Sequence, residues 1–251
     1  MPASLIGIGI GEDRQKVLAS IMQSGLAPRL VCYCRPGLVQ ETGEGWSVRE
    51  TEQPEHDLAA DLCSGRLAAA VRGTLPANPT LSALRKAAGV DHLERAALLE
   101  TAGGRKFFLA PVGVDEGWTV AQKVALIART RQIARRFGLS TGVAVLSGGR
   151  LGDAGRHPAV DQSMAQAELV ARLTGSRHFE ILIEDAVQEC GVIIAPDGIS
   201  GNLIFRTLTF LGSGHGHGAP VLNIDRIFVD TSRASPGYVN AIQLAESLQK
   251  E

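Results

Sequence analysis

The stretch Ile193-Ile194-Ala195-Pro196-Asp197-Gly198-Ile199-Ser200-Gly201-Asn202 decides how this chain is read. A short apolar run ends in Pro-Asp-Gly, passes Ser-Gly-Asn and opens into Leu203-Ile204-Phe205-Arg206-Thr207-Leu208. The pattern predicts a buried strand, a tight polar loop and a helix over 203–211 capped by Asn202. Such a junction leaves free backbone N–H groups at the carboxyl edge of a sheet, where they suit phosphate or carboxylate.

Working outward, the same alternation recurs along the chain. Strands are expected over 5–10, 29–34, 66–71, 95–100, 105–112, 141–146, 179–183 and 191–195, and near 220–230. Helices are expected over 13–24, 57–65 and 158–173, and near 80–88. Thr119 caps a long helix to Phe137, with Val120, Val124, Ile127 and Ala134 on its apolar side and Gly138 closing it. Thr101-Ala102-Gly103-Gly104 signals a hairpin. Gln40 to Asp57, rich in Glu, Gly and Thr, reads as a surface excursion, and a last helix is expected from Ser235-Pro236. Strands alternating with helices argue for an α/β fold with a mostly parallel sheet.

A chain of 251 residues makes one large or two modest domains, and a net charge of −1 implies neither a nucleic-acid tail nor a membrane-surface face. Apolar runs fall well short of the roughly 20 residues that span a bilayer. Met1-Pro2-Ala3-Ser4 carries no basic leader, so a cytoplasmic protein is expected. Cys32, Cys34, Cys63 and Cys190 form no redox or zinc spacing and read as reduced, packed thiols.

Chemistry concentrates in loops that follow strands: Gly11 to Arg14, Arg72-Gly73-Thr74, Ser147 to Asp153 with Arg150, Pro196 to Asn202, and Asp230-Thr231-Ser232-Arg233. Arginine offers a rigid fork of donors and serine a short one, a pairing suited to phosphate. The same Ser-Arg pair also fits a helix cap beside a solvated arginine. His215 and His217 could face one metal, with Asp153 or Asp161 as partners, but a site needs three or four ligands and no metal is assigned. Gly7-Ile8-Gly9-Ile10-Gly11 has the wrong last spacing for a dinucleotide fingerprint, and no adenosylmethionine site, catalytic carboxylate pair or Walker loop is visible.

Taken in order, these segments resemble the phosphate acetyl/butyryltransferase family. The resemblance rests on Gly11-Glu12-Asp13-Arg14, Ala68 to Gly73, Ala144 to Ser147, Pro196 to Asn202, the turn at Gly218-Ala219-Pro220, and Asp230 to Arg233. The compact length, Ser213-Gly214-His215-Gly216-His217-Gly218 and Asp230-Thr231-Ser232-Arg233 are more narrowly similar to methanogenesis marker protein 4. That family of methanogenic archaea carries the label methyltransferase subunit X, MtxX.

The resemblance implies two α/β domains of the isocitrate/isopropylmalate dehydrogenase-like type with a ligand cleft between them. They would hold 1–94 plus 221–251, and 95–220. Ser232, Arg233, Arg72, Thr74, Asn202, Asp197, Ser147 and Arg150 would bind a phosphorylated or other small anionic substrate. A coenzyme A-like ligand or methyl carrier, a methyltransferase partner subunit and a homodimer are implied as well. The acid that the related acyltransferases use as a base falls at Val239, beside Asn240, so no catalytic residue is assigned. Three readings stay open: a methyltransferase-associated protein, a phosphate acyltransferase, and a ligand-sensing or assembly subunit.

Overall fold

The computed structural model describes residues 4–39 and 45–250. They form two compact units, one of Met1–Leu93 with Gly218–Glu251 and the other of Glu94–His217. Residues 40–44 of the expected excursion lie outside the described residues.

The first unit begins with β1 (Ile6–Ile10), α1 (Arg14–Ser24), β2 (Leu30–Cys34), β3 (Ser47–Glu50), α2 (Pro54–Cys63), β4 (Ala69–Val71) and α3 (Ala77–Ala88). The second runs through β5 (Ala97–Glu100), β6 (Lys106–Ala110), α4 (Val120–Arg136), β7 (Val143–Val145), α5 (Pro158–Thr174), β8 (Arg177–His178), α6 (Ile183–Glu189), β9 (Val192–Ile194), α7 (Gly198–Arg206) and β10 (His215–Gly216). The chain then returns to the first unit with β11 (Ala219–Pro220), β12 (Ile227–Asp230) and α8 (Val239–Ser247).

The first sheet has the order β11-β12-β4-β1-β2-β3. All its pairings are parallel except β11 with β12. Its centre is β1, Ile-Gly-Ile-Gly-Ile, every residue of it buried. A Cβ on Gly7 would stand 2.6 Å from Leu58 and Leu67, and one on Gly9 would stand 2.2 Å from Leu75. The glycine face therefore lets those leucines close onto the strand, while Ile6, Ile8 and Ile10 take the opposite face by strand alternation. The leucines belong to a core with Tyr33, Leu84 and Phe228. The helices pack as pairs, α1 with α8 and α2 with α3.

The second sheet has the order β10-β5-β6-β9-β7-β8. β5 and β6 form the expected antiparallel hairpin, and β6, β9, β7 and β8 are parallel. Thr119 caps α4, its hydroxyl accepting from Gln122 N while the Gln122 side chain reaches back to Thr119 N. The buried stripe of α4 is Lys123, Leu126, Ile127, Thr130, Ile133 and Ala134, so only Ile127 and Ala134 of the expected apolar side are fully covered.

Four local expectations need correction. Within the expected excursion, Ser47–Glu50 is an edge strand paired with β2. The strand expected over 179–183 is instead a turn into α6, because Glu180 takes a left-handed φ of 56° that no extended chain tolerates. The last helix starts at Val239, with Ser235 and Pro236 in the turn before it and Tyr238 N donating to Ser20 Oγ at 2.9 Å.

The fourth concerns the opening motif. α7 starts at Gly198, and its cap is Asp197, whose Oδ1 accepts from Ser200 N at 2.8 Å. Asn202 lies inside the helix. The early start follows from packing: a Cβ on Gly198 would stand 1.6 Å from Gly113 O, and one on Gly201 would stand 1.9 Å from Pro111 O. Two glycines one turn apart thus seat the helix directly on the backbone of the loop after β6. Beyond Arg206 the helix widens into a single π turn, Thr207–Leu211.

Candidate functional site

Ligands of open α/β sheets sit at carboxyl strand ends where neighbouring strands lead their helices apart. In the first unit, α1 follows β1 and α3 follows β4, and these helices belong to different pairs. The loops after β1, β4 and β12 therefore share one edge of the sheet. In the second unit, adjacent β7 and β9 lead out toward opposite margins, to β8 and β10. The expected residues thus divide between two sheets: Arg72, Thr74, Ser232 and Arg233 on the first, Ser147, Arg150, Asp197 and Asn202 on the second.

On the first edge the loops are tied to one another. Buried Arg72 donates from Nε to Asp230 Oδ1 at 2.5 Å and from Nη1 to Leu75 O at 2.7 Å. Gly73 has a φ of 61°, and a Cβ there would stand 2.1 Å from Gly9 O, so only glycine fits. Thr74 Oγ1 accepts from Gly11 N at 3.0 Å, and Thr231 Oγ1 donates to Gly73 O at 2.9 Å. Arg72 and Thr74 are therefore internal braces, whereas Ser232 is half-buried and Arg233 exposed.

Ser232 Oγ accepts from Ala234 N at 3.2 Å, and Ser232 O accepts from the Tyr238 hydroxyl at 3.3 Å. Burial pushes the Tyr238 phenol up to about 12, so the ring stays neutral. Arg233 lies 3.4 Å from Glu12 in an open ion pair. Lys16 joins this group: its Nζ donates to Arg233 O at 2.9 Å, lies 3.2 Å from Asp13 Oδ2 and stands 5.7 Å over the Tyr238 ring. Lys16 is absent from the sequence-based expectation. Its only signal is its place in the first turn of the helix that leaves the β1 loop.

On the second edge the expected residues serve largely to hold loops. Asn202 Nδ2 donates to Val112 O at 3.0 Å. Gly198 N donates to Glu116 O at 3.0 Å and Gly201 N to Asp197 O at 3.0 Å. With Ser200 N bound to Asp197, the donors at the start of α7 are mostly occupied, contrary to the free N–H groups expected there. Glu116 fixes the receiving loop through Arg95 Nε at 2.6 Å and Gly113 N at 3.2 Å, and burial pushes its carboxyl up.

Buried Ser147 donates to Gly149 O at 2.9 Å, and His178 Nε2 lies 2.9 Å from its Oγ. His178 Nδ1 lies 3.3 Å from Glu168 Oε2. Arg150 is exposed, and its N–H donates to Asp153 Oδ2 at 2.9 Å. That bond and Arg156 hold the Asp153 carboxyl below its ordinary range. A cavity of about 420 Å³ opens beside His178, Glu168 and Glu180, and none of the expected residues lines it.

Toward metals, His217 Nε2 pairs with Glu100 Oε2 at 2.9 Å, and His215 is exposed on β10. Among the described residues no three His, Cys, Asp or Glu side chains are grouped to hold a metal ion. Cys32, Cys34, Cys63 and Cys190 are free thiols. Burial raises all four thiols, Cys32 to about 12. Among the described residues no helix is long and apolar enough to cross a membrane.

This architecture is that of the phosphotransacylases. A branched-chain phosphotransacylase from Enterococcus faecalis superposes with a TM-score of 0.77 over 98% of this chain and 99% of its own, at 13% identity. A phosphotransacetylase from Streptococcus pyogenes gives 0.65 over 100% and 96%, again at 13% identity. At that identity the likeness defines the fold alone.

No protein-family model matches the chain. Its sequence is 45% identical to a protein of Methanosarcina mazei described as "Putative methyltransferase mtx subunit X", over 97% of this chain and 89% of the relative. It is 44% identical to the protein of the same description from Methanosarcina acetivorans, over 99% and 91%. The chain belongs to the mtx subunit X family.

Proposed function

We propose that this chain is a methyltransferase-associated transferase subunit that binds a small phosphorylated or carboxylate ligand at the first unit's sheet edge. Exposed Arg233 beside Ser232, with Lys16 Nζ 2.9 Å from Arg233 O, is the observation that carries the reading. Guanidinium, ammonium and hydroxyl groups gathered there suit a short oxyanion, while Arg72 and Thr74 keep the loops in place. Asp197, Asn202, Ser147 and Arg150 hold the loops at the sheet edge of the second unit. The methyl-transfer association is supported by the descriptions of the relatives, and the methyl carrier and catalytic partner are supplied by another subunit. Calorimetry with inorganic phosphate, acetyl phosphate, coenzyme A and a methylated pterin tests the ligand. Arg233→Ala is expected to weaken phosphate binding about tenfold or more, the size of one or two charge-assisted hydrogen bonds. Unchanged affinity, or no binding of any of these compounds by wild type, overturns the reading.

Val239 favours a non-catalytic ligand-sensing or assembly role over acyl transfer, because the resemblance places the acyltransferase base there. Turnover of acetyl phosphate with coenzyme A would restore the acyltransferase reading.

A homodimer belongs to the same proposal. It is supported by α7 and its π turn, where Ile199, Leu203 and Leu211 are exposed by 48%, 59% and 86% and only Gly198 and Gly201 are buried within α7. A helix apolar on its outward side marks an interaction face. Leu203→Asp with Leu211→Asp is expected to halve the mass measured by light scattering while the chain keeps its native circular dichroism; a wild-type monomer would overturn the dimer.

A further inference from the structure

Lys123 stands where an aliphatic side chain belongs. It lies in the first turn of α4 on the stripe shared with Leu126, Ile127, Thr130 and Ile133, and it is 2% exposed. Its Nζ donates to Gln166 Oε1 on α5, and the Gln166 amide is oriented by Nε2 donating to Trp118 O at 3.1 Å. Asp197, the cap of α7, is the charged group that acts on the amine from the β9 loop. Helical side chains lean toward the N-terminus, so the amine is carried toward the sheet edge where α4 begins. A buried ammonium with one neutral partner is costly, and that cost persists where a ligand oxygen completes its shell.

We propose that Lys123 is a ligand-binding residue of the second unit, its ammonium taking one anionic oxygen, phosphoryl or carboxylate, of a small ligand held beside the Asp197 loop. The inference rests on the anion-binding reading above and extends it to a residue unseen in the sequence. Burial brings the amine down to about 8, with Asp197 opposing. It is thus mostly charged at neutral pH and loses its charge just above.

Sulfate and acetate serve as probes, because neither titrates there and each stands for one ligand class. Wild type is expected to bind sulfate, acetate or both, with an affinity that falls up to about tenfold per pH unit above 8. Lys123→Met keeps the length and suits the apolar stripe. It is expected to fold, to melt several degrees higher, and to lose about tenfold or more of the anion affinity at pH 7. The group binds fewer protons folded than unfolded between pH 8 and the ordinary lysine range, so wild type gains stability across that window. The extra melting temperature of the variant is therefore full below pH 8 and shrinks above it. Equal anion binding by K123M and wild type overturns the inference and leaves the Arg233 site standing. Wild type that binds neither sulfate nor acetate nor phosphate overturns both.

Discussion

Asp230→Ala is expected to lower the unfolding free energy by about 3–5 kcal/mol, because it strands a buried guanidinium. The Arg72 side chain is 5% exposed, and its Nε lies 2.5 Å from Asp230 Oδ1. The same oxygen accepts from Thr231 N at 2.8 Å, so the carboxylate also shapes the turn that leads to Ser232 and Arg233. Urea denaturation of the purified variant measures the loss. Replacing both partners by apolar residues, Arg72→Met with Asp230→Leu, should recover much of it, since no unpaired charge then remains. A loss below about 1 kcal/mol for D230A would mean that water or another anion already serves Arg72. The double variant separates bracing from binding: restored stability without restored anion affinity would show that the pair also orients the ligand loops.

Gly198→Ala is expected to be the most damaging single methyl in the second unit. Its Cβ would stand 1.6 Å from Gly113 O and 3.0 Å from Glu116 O, and both obstacles are backbone. Backbone cannot rotate aside, so α7 must move off the loop or fail to form. Loss of about 4 kcal/mol or more, a fall in Tm on the order of 10 °C, or insoluble expression is the expected outcome. Gly201→Ala meets Pro111 O at 1.9 Å and should behave alike. Gly152→Ala meets no atom within 4 Å and supplies the control, with an expected change within about 0.5 kcal/mol. A G198A protein as stable as that control would refute the seating of α7 on the loop.

The architecture was legible because it is written in periodicity. Alternating β1, the Thr101 hairpin and the Thr119 cap each depend on neighbours within a few residues, and each stands as expected. The start of α7 was not legible, because both Asp197 and Asn202 are good caps and the choice is made by two glycines meeting a loop some 85 residues earlier. Glu180 gave no warning of its left-handed backbone, since nothing in glutamate favours it. Of the candidate site, the loops could be read but not the duties of their side chains. Whether an arginine faces solvent, as Arg233 does, or a buried aspartate, as Arg72 does, is decided by a partner 158 positions away. Lys16 and Lys123 look like ordinary helix-surface lysines in sequence, and only packing distinguishes them.

The return of the chain to its first sheet has a consequence for biosynthesis. β4 is hydrogen-bonded on one side by β1 and on the other by β12, whose first residue is about 155 positions later. At about 5–20 residues per second, a ribosome delivers β12 roughly 8–30 s after β4. Throughout that interval the Ala-Ala-Val edge of β4 is an open ladder of backbone donors and acceptors on the nascent chain. The second unit, continuous in sequence, is complete before its host sheet can close. The first unit therefore depends on the segment from Gly218 onward, and chains released before it would carry a finished insert on an unfinished sheet.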